Sequence, residues 1–216
     1  MKTFVKLSGL ATADAVALVP AGGAAGFVVD VAGAPASIGL ADVPPLLDRL
    51  DRDAEAWAIV RDPTAETVHR LFDDAGVDRV QVYGKIPDGL EFLEIHHLVP
   101  SLPVPVRGTD GPDPPIPPAE DYSRLHVDAA GDPLADGSAR VADPACVGRI
   151  IEGQPGRKIV LAGGLTAATV GPVLAESRPW GIDVSAGVRD PAGRIDPGRV
   201  RAFLDAVAAA EAPPGG

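Results

Sequence analysis

Two glycine turns late in the chain carry the strongest chemical signal. They are Leu161-Ala162-Gly163-Gly164-Leu165 and Asp183-Val184-Ser185-Ala186-Gly187-Val188. Each follows a short run rich in β-branched residues, and each reads as a strand ending in a tight turn. Glycine lets backbone N–H groups come close to an anion, and a following helix N-terminus favours negative charge. The pair reads as a phosphate site formed by Gly163, Gly164, Ser185, Ala186 and Gly187. Tight strand-to-helix turns with no ligand would use the same glycines. Asp183, heading the second turn, is placed either to touch a ligand amine or hydroxyl or to cap a helix.

Two further residues sit at strand tips, where a barrel enzyme carries its catalytic side chains. Asp128 ends the run RLHVDA and is a candidate proton donor. Ser8 ends TFVKLS, just before Gly9. A serine hydroxyl is a weak base and needs activation by a neighbour. Inward side chains alternate along a strand. If Ser8 points inward, so does Lys6; His126 goes with Asp128, and Gln81 with Tyr83. Lys6 then reads as an interior ion-pair partner, with Asp128 one choice of mate, and an imine-forming amine as the sharper alternative. His126 reads as a hydrogen-bonded interior histidine.

The elements that must position these residues alternate. Strand-like runs are TFVKLS, GFVVDV, AWAIVR, RVQVYG, LPVPVRG, RLHVDA, KIVLAG and GIDVSAG. Helix-like segments are ATADAVALVP, ADVPPLLDRLD, TAETVHRLFDDAG, DGLEFLEIHH, DPACVGRIIEG, TAATVGPVLAES and DPGRVRAFLDAVAAA. Strands alternating with helices predict βαβ units and a parallel sheet. Eight such strands predict an α/β fold of the closed (β/α)8 TIM-barrel type, with an open doubly wound sheet as the alternative. The stretch TDGPDPPIPPAEDY holds too much proline for a helix, so the fifth helix is expected to be replaced by a Pro-rich loop. Residues 1–211 read as one barrel domain and 212–216 as a disordered tail.

The composition narrows the class. The 216 residues are 46% hydrophobic and 23% charged, with 4% aromatics and a net charge of −11. An acidic chain with a pI near 4.7 argues against nucleic acid and anionic membranes as partners, though a local pocket can still be positive. No run is long enough for a membrane span, and the N-terminus does not read as a signal peptide, so a cytoplasmic location is expected. The single cysteine, Cys146, follows the helix-start signal Asp143-Pro144 and is expected to be buried and inert. His96-His97 lack a third ligand at sensible spacing, so no metal is expected. Trp57 and Trp180 read as packing.

In order along the chain, VKLSGL, GFVVDV, VQVYG, LHVDA, LAGGL and DVSAGV match the motifs of phosphoribosylanthranilate isomerase, and the sequence resembles that family over nearly its whole length. The resemblance implies a barrel without a regular fifth helix. It implies an Amadori rearrangement of a phosphoribosylated anthranilate, with a cysteine as general base on the first strand and an aspartate as general acid on the sixth. Carried over, the cysteine of the family's VKICG falls on Ser8 and the aspartate on Asp128. The family's VQLHG is VQVYG here, so its histidine becomes Tyr83. The Ser-Pro-Arg segment that binds the anthranilate carboxylate in the family is AGAPASIG here, without arginine. The glycine-rich loop after the sixth strand is replaced by ADGSA, around Asp136 to Ala139, and DVSSG has become DVSAG.

The phosphate end and the acid are therefore kept, while the base and the aromatic-acid end are changed. Asp30, at the exit of the second strand, is the candidate replacement base. Arg107, just past the fifth strand, is the candidate replacement for the carboxylate-binding arginine, against the plainer reading of a solvated loop arginine. Tyr83 is expected to shape and hydrogen-bond a changed substrate. The expected function is an isomerase-like enzyme acting on a phosphorylated sugar or aminosugar by Amadori-type isomerisation or enolisation, repurposed from the family reaction and needing no cofactor. The alternatives are a non-catalytic barrel binding a phosphorylated ligand or a partner protein, and a lyase or cyclase using Lys6. Oligomeric state is open.

Overall fold

The computed structural model describes residues 2–90, 92–109, 111–129, 134 and 140–212. Eight parallel strands form the barrel: β1 (Phe4–Ser8), β2 (Ala24–Val29), β3 (Glu55–Arg61), β4 (Arg79–Tyr83), β5 (Leu98–Val104), β6 (Arg124–Ala129), β7 (Lys158–Leu161) and β8 (Gly181–Val184). Each pairs with its neighbour in sequence, and β8 closes on β1 through Lys6 opposite Asp183. A two-residue extension, Ser37–Ile38, pairs beside the end of β2. The expected closed barrel is the one found.

The strands read as near-continuous apolar runs because both faces are covered. Their outer faces pack under the helices in one core that includes Leu7, Phe27, Val80, Leu125, Ile182 and Phe203. The inner faces stack in layers. Lowest lie Phe4, Trp57 and the partly buried Trp180. Arg124 points inward among these rings, its guanidinium carbon 4.8 Å from the Trp180 ring centre and 5.6 Å from that of Trp57. Glu55 accepts from both of its terminal nitrogens, at 2.6 and 2.8 Å, and also from Trp57 Nε1 at 2.7 Å. This satisfied ion pair closes the lower end of the barrel. Burial opposes the Glu55 charge, yet the hydrogen bonds and charge of Arg124 outweigh it and hold the carboxyl below its ordinary range. Trp57 and Trp180 are packing residues, as expected.

The helices are α1 (Ala13–Val16), α2 (Pro44–Leu47), α3 (Ala65–Asp73), α4 (Phe92–His97), α5 (Pro144–Gly153), α6 (Val170–Ser177) and α7 (Pro197–Glu211). The side chains of Thr12, Thr64, Asp143 and Asp196 cap α1, α3, α5 and α7. Among the described residues no helix lies between β5 and β6, where the prolines stand. Several boundaries differ from expectation. The first two helices are only four residues each. The fifth strand starts at Leu98, directly after α4, because Val80 of β4 pairs with Leu98; the valines of LPVPVRG had suggested a later strand. The regular part of α6 starts at Val170, after a turn in which Thr166 and Thr169 hydrogen-bond each other. The ADGSA loop and residues 213–216 lie outside the described residues. Cys146 is buried in α5, its thiol pushed up to about 12 by burial and by the nearby Asp113. No described helix is long and apolar enough to cross a membrane.

Candidate active site

A cavity of about 860 Å³ opens at the C-terminal ends of the strands. Its lining includes Ser8, Tyr83, Asp128 and Asp183 from the strand tips, and Gly163, Gly164, Ser185, Ala186 and Gly187 from the two glycine turns. The turns touch. A Cβ on Gly187 would lie 1.9 Å from the Leu165 carbonyl oxygen, so only glycine permits this approach. Gly163 has φ +97°, and a Cβ there would press on Ala129 at 3.0 Å. The second turn opens the short 3-10 helix Ala186–Val188.

The strand-tip residues form two hydrogen-bonded sets. In the first, Lys6 Nζ donates to Ser8 Oγ at 2.5 Å and to Asp183 Oδ2 at 2.7 Å, and Ser8 Oγ donates to Asp183 Oδ1 at 2.6 Å. His126 Nε2 lies 3.1 Å from the same Asp183 oxygen, and its Nδ1 lies 3.2 Å from Ser101 Oγ. Gly26 makes room for the set, since a Cβ there would stand 2.6 Å from Ser8 Oγ. Burial alone would raise the Asp183 pKa, but the Lys6 ammonium and His126 hold it well below the carboxylate range. Burial draws Lys6 down against the pull of Asp183. In the second set, the Tyr83 hydroxyl donates to Asp128 Oδ2 at 2.9 Å. Burial pushes the Asp128 carboxyl up, against the lowering effects of His126 and Tyr83. Burial and the same carboxylate push the Tyr83 phenol well up, so it remains a neutral donor.

The inward parity of Lys6 with Ser8, of His126 with Asp128 and of Gln81 with Tyr83 therefore holds. Four other placements differ in whole or in part from expectation. Lys6 is the interior ion-pair partner expected, but its mate is Asp183 and not Asp128, and it is fully buried off the cavity, which removes the access an imine-forming amine needs. Asp183 is an interior ion-pair partner at the cavity floor and not a helix cap. Asp30 is not brought to Ser8: β2 ends at Val29, and Asp30 turns out with φ +50° into a separate cavity of about 350 Å³ lined also by Asp62 and Thr64. Arg107 is likewise outside the main cavity, on the surface, where its Nη2 pairs with Glu176 at 2.5 Å. The arginines that do line the cavity are Arg189, Arg194 and Arg199, all from the segment after β8. Their signal was three arginines at five-residue spacing just past the second glycine turn.

Comparison with known proteins agrees with this fold. The family model for N-(5'-phosphoribosyl)anthranilate isomerase matches residues 119–206, from just before β6 into α7. The N-(5'-phosphoribosyl)anthranilate isomerase of Bordetella petrii is 32% identical over 230 aligned residues, covering 98% of this chain and 97% of that one. The chain belongs to the phosphoribosylanthranilate isomerase family. A second relative of the same name, from a Chelativorans species, is 31% identical across 97% of this chain and 98% of its own. Among solved structures, the phosphoribosylanthranilate isomerase of Thermus thermophilus superposes with a TM-score of 0.76 at 23% identity, over 96% of this chain and 99% of that one. That of Thermotoga maritima gives 0.74 at 17% identity, over the same shares. As a member of the isomerase family, this chain shares the closed barrel of those structures.

Proposed function

We propose that the protein catalyses an Amadori-type isomerisation of a phosphorylated aminosugar, and that N-(5'-phosphoribosyl)anthranilate is the substrate to test first. One observation carries the reading. Asp128, its pKa raised by burial, shares a cavity with Ser8 and with two touching glycine turns suited to a phosphate.

In this reading the substrate phosphate lies on Gly163, Gly164 and Ser185–Gly187, held by backbone N–H groups. Protonated Asp128 gives its proton to the furanose ring oxygen. The bond from C1 to that oxygen breaks, its electron pair stays on oxygen, and the nitrogen lone pair forms an iminium. Tyr83 holds Asp128 in place through the other carboxyl oxygen. The C2 proton then passes to Ser8 Oγ while the Ser8 hydroxyl proton moves to Asp183 Oδ1. The released electron pair makes the enolamine, which tautomerises to the amino-ketose. Asp183 is a poor proton acceptor because Lys6 and His126 stabilise its ionised form, so the second transfer is the slow one. A thiol, with an ordinary pKa of about 8.5, would accept that proton more readily than a hydroxyl. The hydroxyl at this position and the lack of arginine in AGAPASIG are what favour an activity altered from the family reaction.

The test is the loss of anthranilate fluorescence on turnover of phosphoribosylanthranilate by the wild type and by Asp128→Ala. Slow wild-type turnover, abolished in the variant, is the expected result. Turnover that survives Asp128→Ala would reject Asp128 as the acid. Absence of turnover in both the wild type and Ser8→Cys would reject this substrate.

A further inference from the structure

Arg189 differs from the other arginines of its segment. Arg194 is exposed and pairs with Asp190 at 2.8 Å. Arg199 is exposed on the first turn of α7. Arg189 is partly buried, and its hydrogen bonds go only to backbone carbonyls: Nη2 to Gly9 O at 2.8 Å and Ser8 O at 3.3 Å, and Nη1 to Gly193 O at 2.7 Å. Among the described residues no carboxylate faces it within ion-pair distance. Burial lowers its pKa, with no opposing acid. A partly desolvated cation without a counter-charge is costly unless something anionic meets it. This is a notable omission in a chain of net charge −11.

The placement of the guanidinium gives the omission a direction. Closure of β8 on β1 lets the last loop reach across the first. The point where a Cβ on Gly9 would stand lies 2.2 Å from Arg189 Nη2 and 3.2 Å from the Ala36 Cβ, so the guanidinium sits between the loop after β1 and the loop after β2. The carbonyls of Ser8, Gly9 and Gly193 take up Nη2 and one hydrogen of Nη1 and fix its orientation, leaving Nε–H and the other Nη1–H for a ligand. Beside Ala36 the cavity wall is apolar, built by Val28, Ile59 and Ala34 with the Tyr83 ring. The other negative groups of the lining are accounted for in place: Asp183 meets Lys6, Asp128 meets Tyr83 and Asp190 meets Arg194, while Asp14 is exposed.

We propose that Arg189 is the residue that selects the non-phosphate end of the ligand. It binds the carboxylate of an apolar acid, of aryl or alkyl type, whose hydrocarbon part lies on the Val28–Ile59–Ala34 wall. The proposal rests on the reading that the glycine turns hold the phosphate of the same ligand. A guanidinium held by these carbonyls presents a carboxylate with a charge-assisted donor in a fixed direction, which the flexible ammonium of a lysine in its place does not. The alternative role is a clamp that ties the last loop to the first, and such a clamp has no bearing on which ligand binds.

The test compares two probes by calorimetry on the wild type, Arg189→Met and Arg189→Lys, with thermal melts as the check on folding. One probe is reduced 1-(o-carboxyphenylamino)-1-deoxyribulose 5-phosphate, and the other is the same molecule without the ring carboxylate. The wild type is expected to prefer the carboxylated probe on the order of 10- to 100-fold, the worth of a hydrogen-bonded charged pair. Arg189→Met is expected to bind both probes alike, at the wild-type affinity for the carboxylate-free one. Arg189→Lys is expected to retain only part of the preference. An unchanged preference in Arg189→Met, or no preference in the wild type, overturns the proposal and leaves the phosphate reading standing. Failure of the wild type to bind either probe overturns both.

Discussion

Ser8 Oγ donates to Asp183 Oδ1 at 2.6 Å while it accepts from Lys6 Nζ at 2.5 Å. The hydroxyl is thus used twice, as donor and as acceptor, before any ligand arrives. It is oriented, but its proton points to a carboxylate that Lys6 and His126 keep ionised.

A thiol in this place would sit against the Lys6 ammonium, and a neighbouring cation favours thiolate. Ser8→Cys is therefore expected to raise kcat/KM for phosphoribosylanthranilate by roughly 10- to 100-fold, within the usual range of general-base help. Ser8→Ala is expected to abolish turnover and leave ligand binding near wild type. Steady-state fluorescence assays on the three proteins check this. A Ser8→Ala protein as active as wild type would remove Ser8 from the mechanism.

The pH profile tests Asp128. A general acid works in its protonated form, so activity falls as pH rises through its pKa, and a raised pKa keeps the acid usable at higher pH. Tyr83 donates to the carboxyl and favours its ionised form. Tyr83→Phe removes that donor, so the alkaline limb of kcat is expected to move to higher pH. A limb that moves to lower pH would contradict this wiring. Asp128→Asn is expected to flatten the limb and lower kcat by about 10²- to 10⁴-fold.

Much of this site was legible before the structure, and the misses have physical causes. Strand parity placed Lys6, Ser8, His126 and Asp128 inside because the apolar runs fix which face is which. The same parity misled at Asp30, since it applies only while the strand lasts, and β2 stops one residue earlier. Arg107 is near a strand tip in sequence only. A surface partner, Glu176, draws it away. The place of Arg189 is not legible in the sequence, because it comes from barrel closure, which sets the loop after β8 beside Ser8 and Gly9. No local pattern encodes that contact. The mate of Lys6 was open for the same reason, Asp183 being 177 residues away.

Stability at acid pH is expected to depend on the lower end of the barrel. The folded pKa of Glu55 is lowered from its ordinary 4.5. Its contribution is fully present above that value and is lost as pH falls through the lower folded value. Melting temperature should therefore drop more steeply below about pH 4.5 in the wild type than in Glu55→Gln. At neutral pH, Glu55→Gln is expected to cost about 2–4 kcal/mol, because Arg124, only 6% exposed, keeps its charge and loses its partner. Equal slopes for the two proteins between pH 7 and 3 would show that other carboxylates govern acid unfolding.

The glycine turns give the sharpest steric prediction. Gly187→Ala must move the Leu165 carbonyl, which is backbone and cannot swing aside as a side-chain tip would. Overpacking of this kind costs about 1–3 kcal/mol. Here the strain falls on the contact between the two turns, so the larger effect should be on the phosphate. The expected result is a KM raised on the order of tenfold or more, and weaker competition by inorganic phosphate, with the barrel still folded. Gly148→Ala is the control. It lies in α5 with nothing within 4 Å of the added methyl. Alanine there should stabilise the protein by about 0.5–1 kcal/mol and leave KM unchanged. If Gly187→Ala binds phosphate and substrate as the wild type does, the phosphate does not sit where Gly187 meets Leu165, and the orientation of the substrate in the cavity must be reversed.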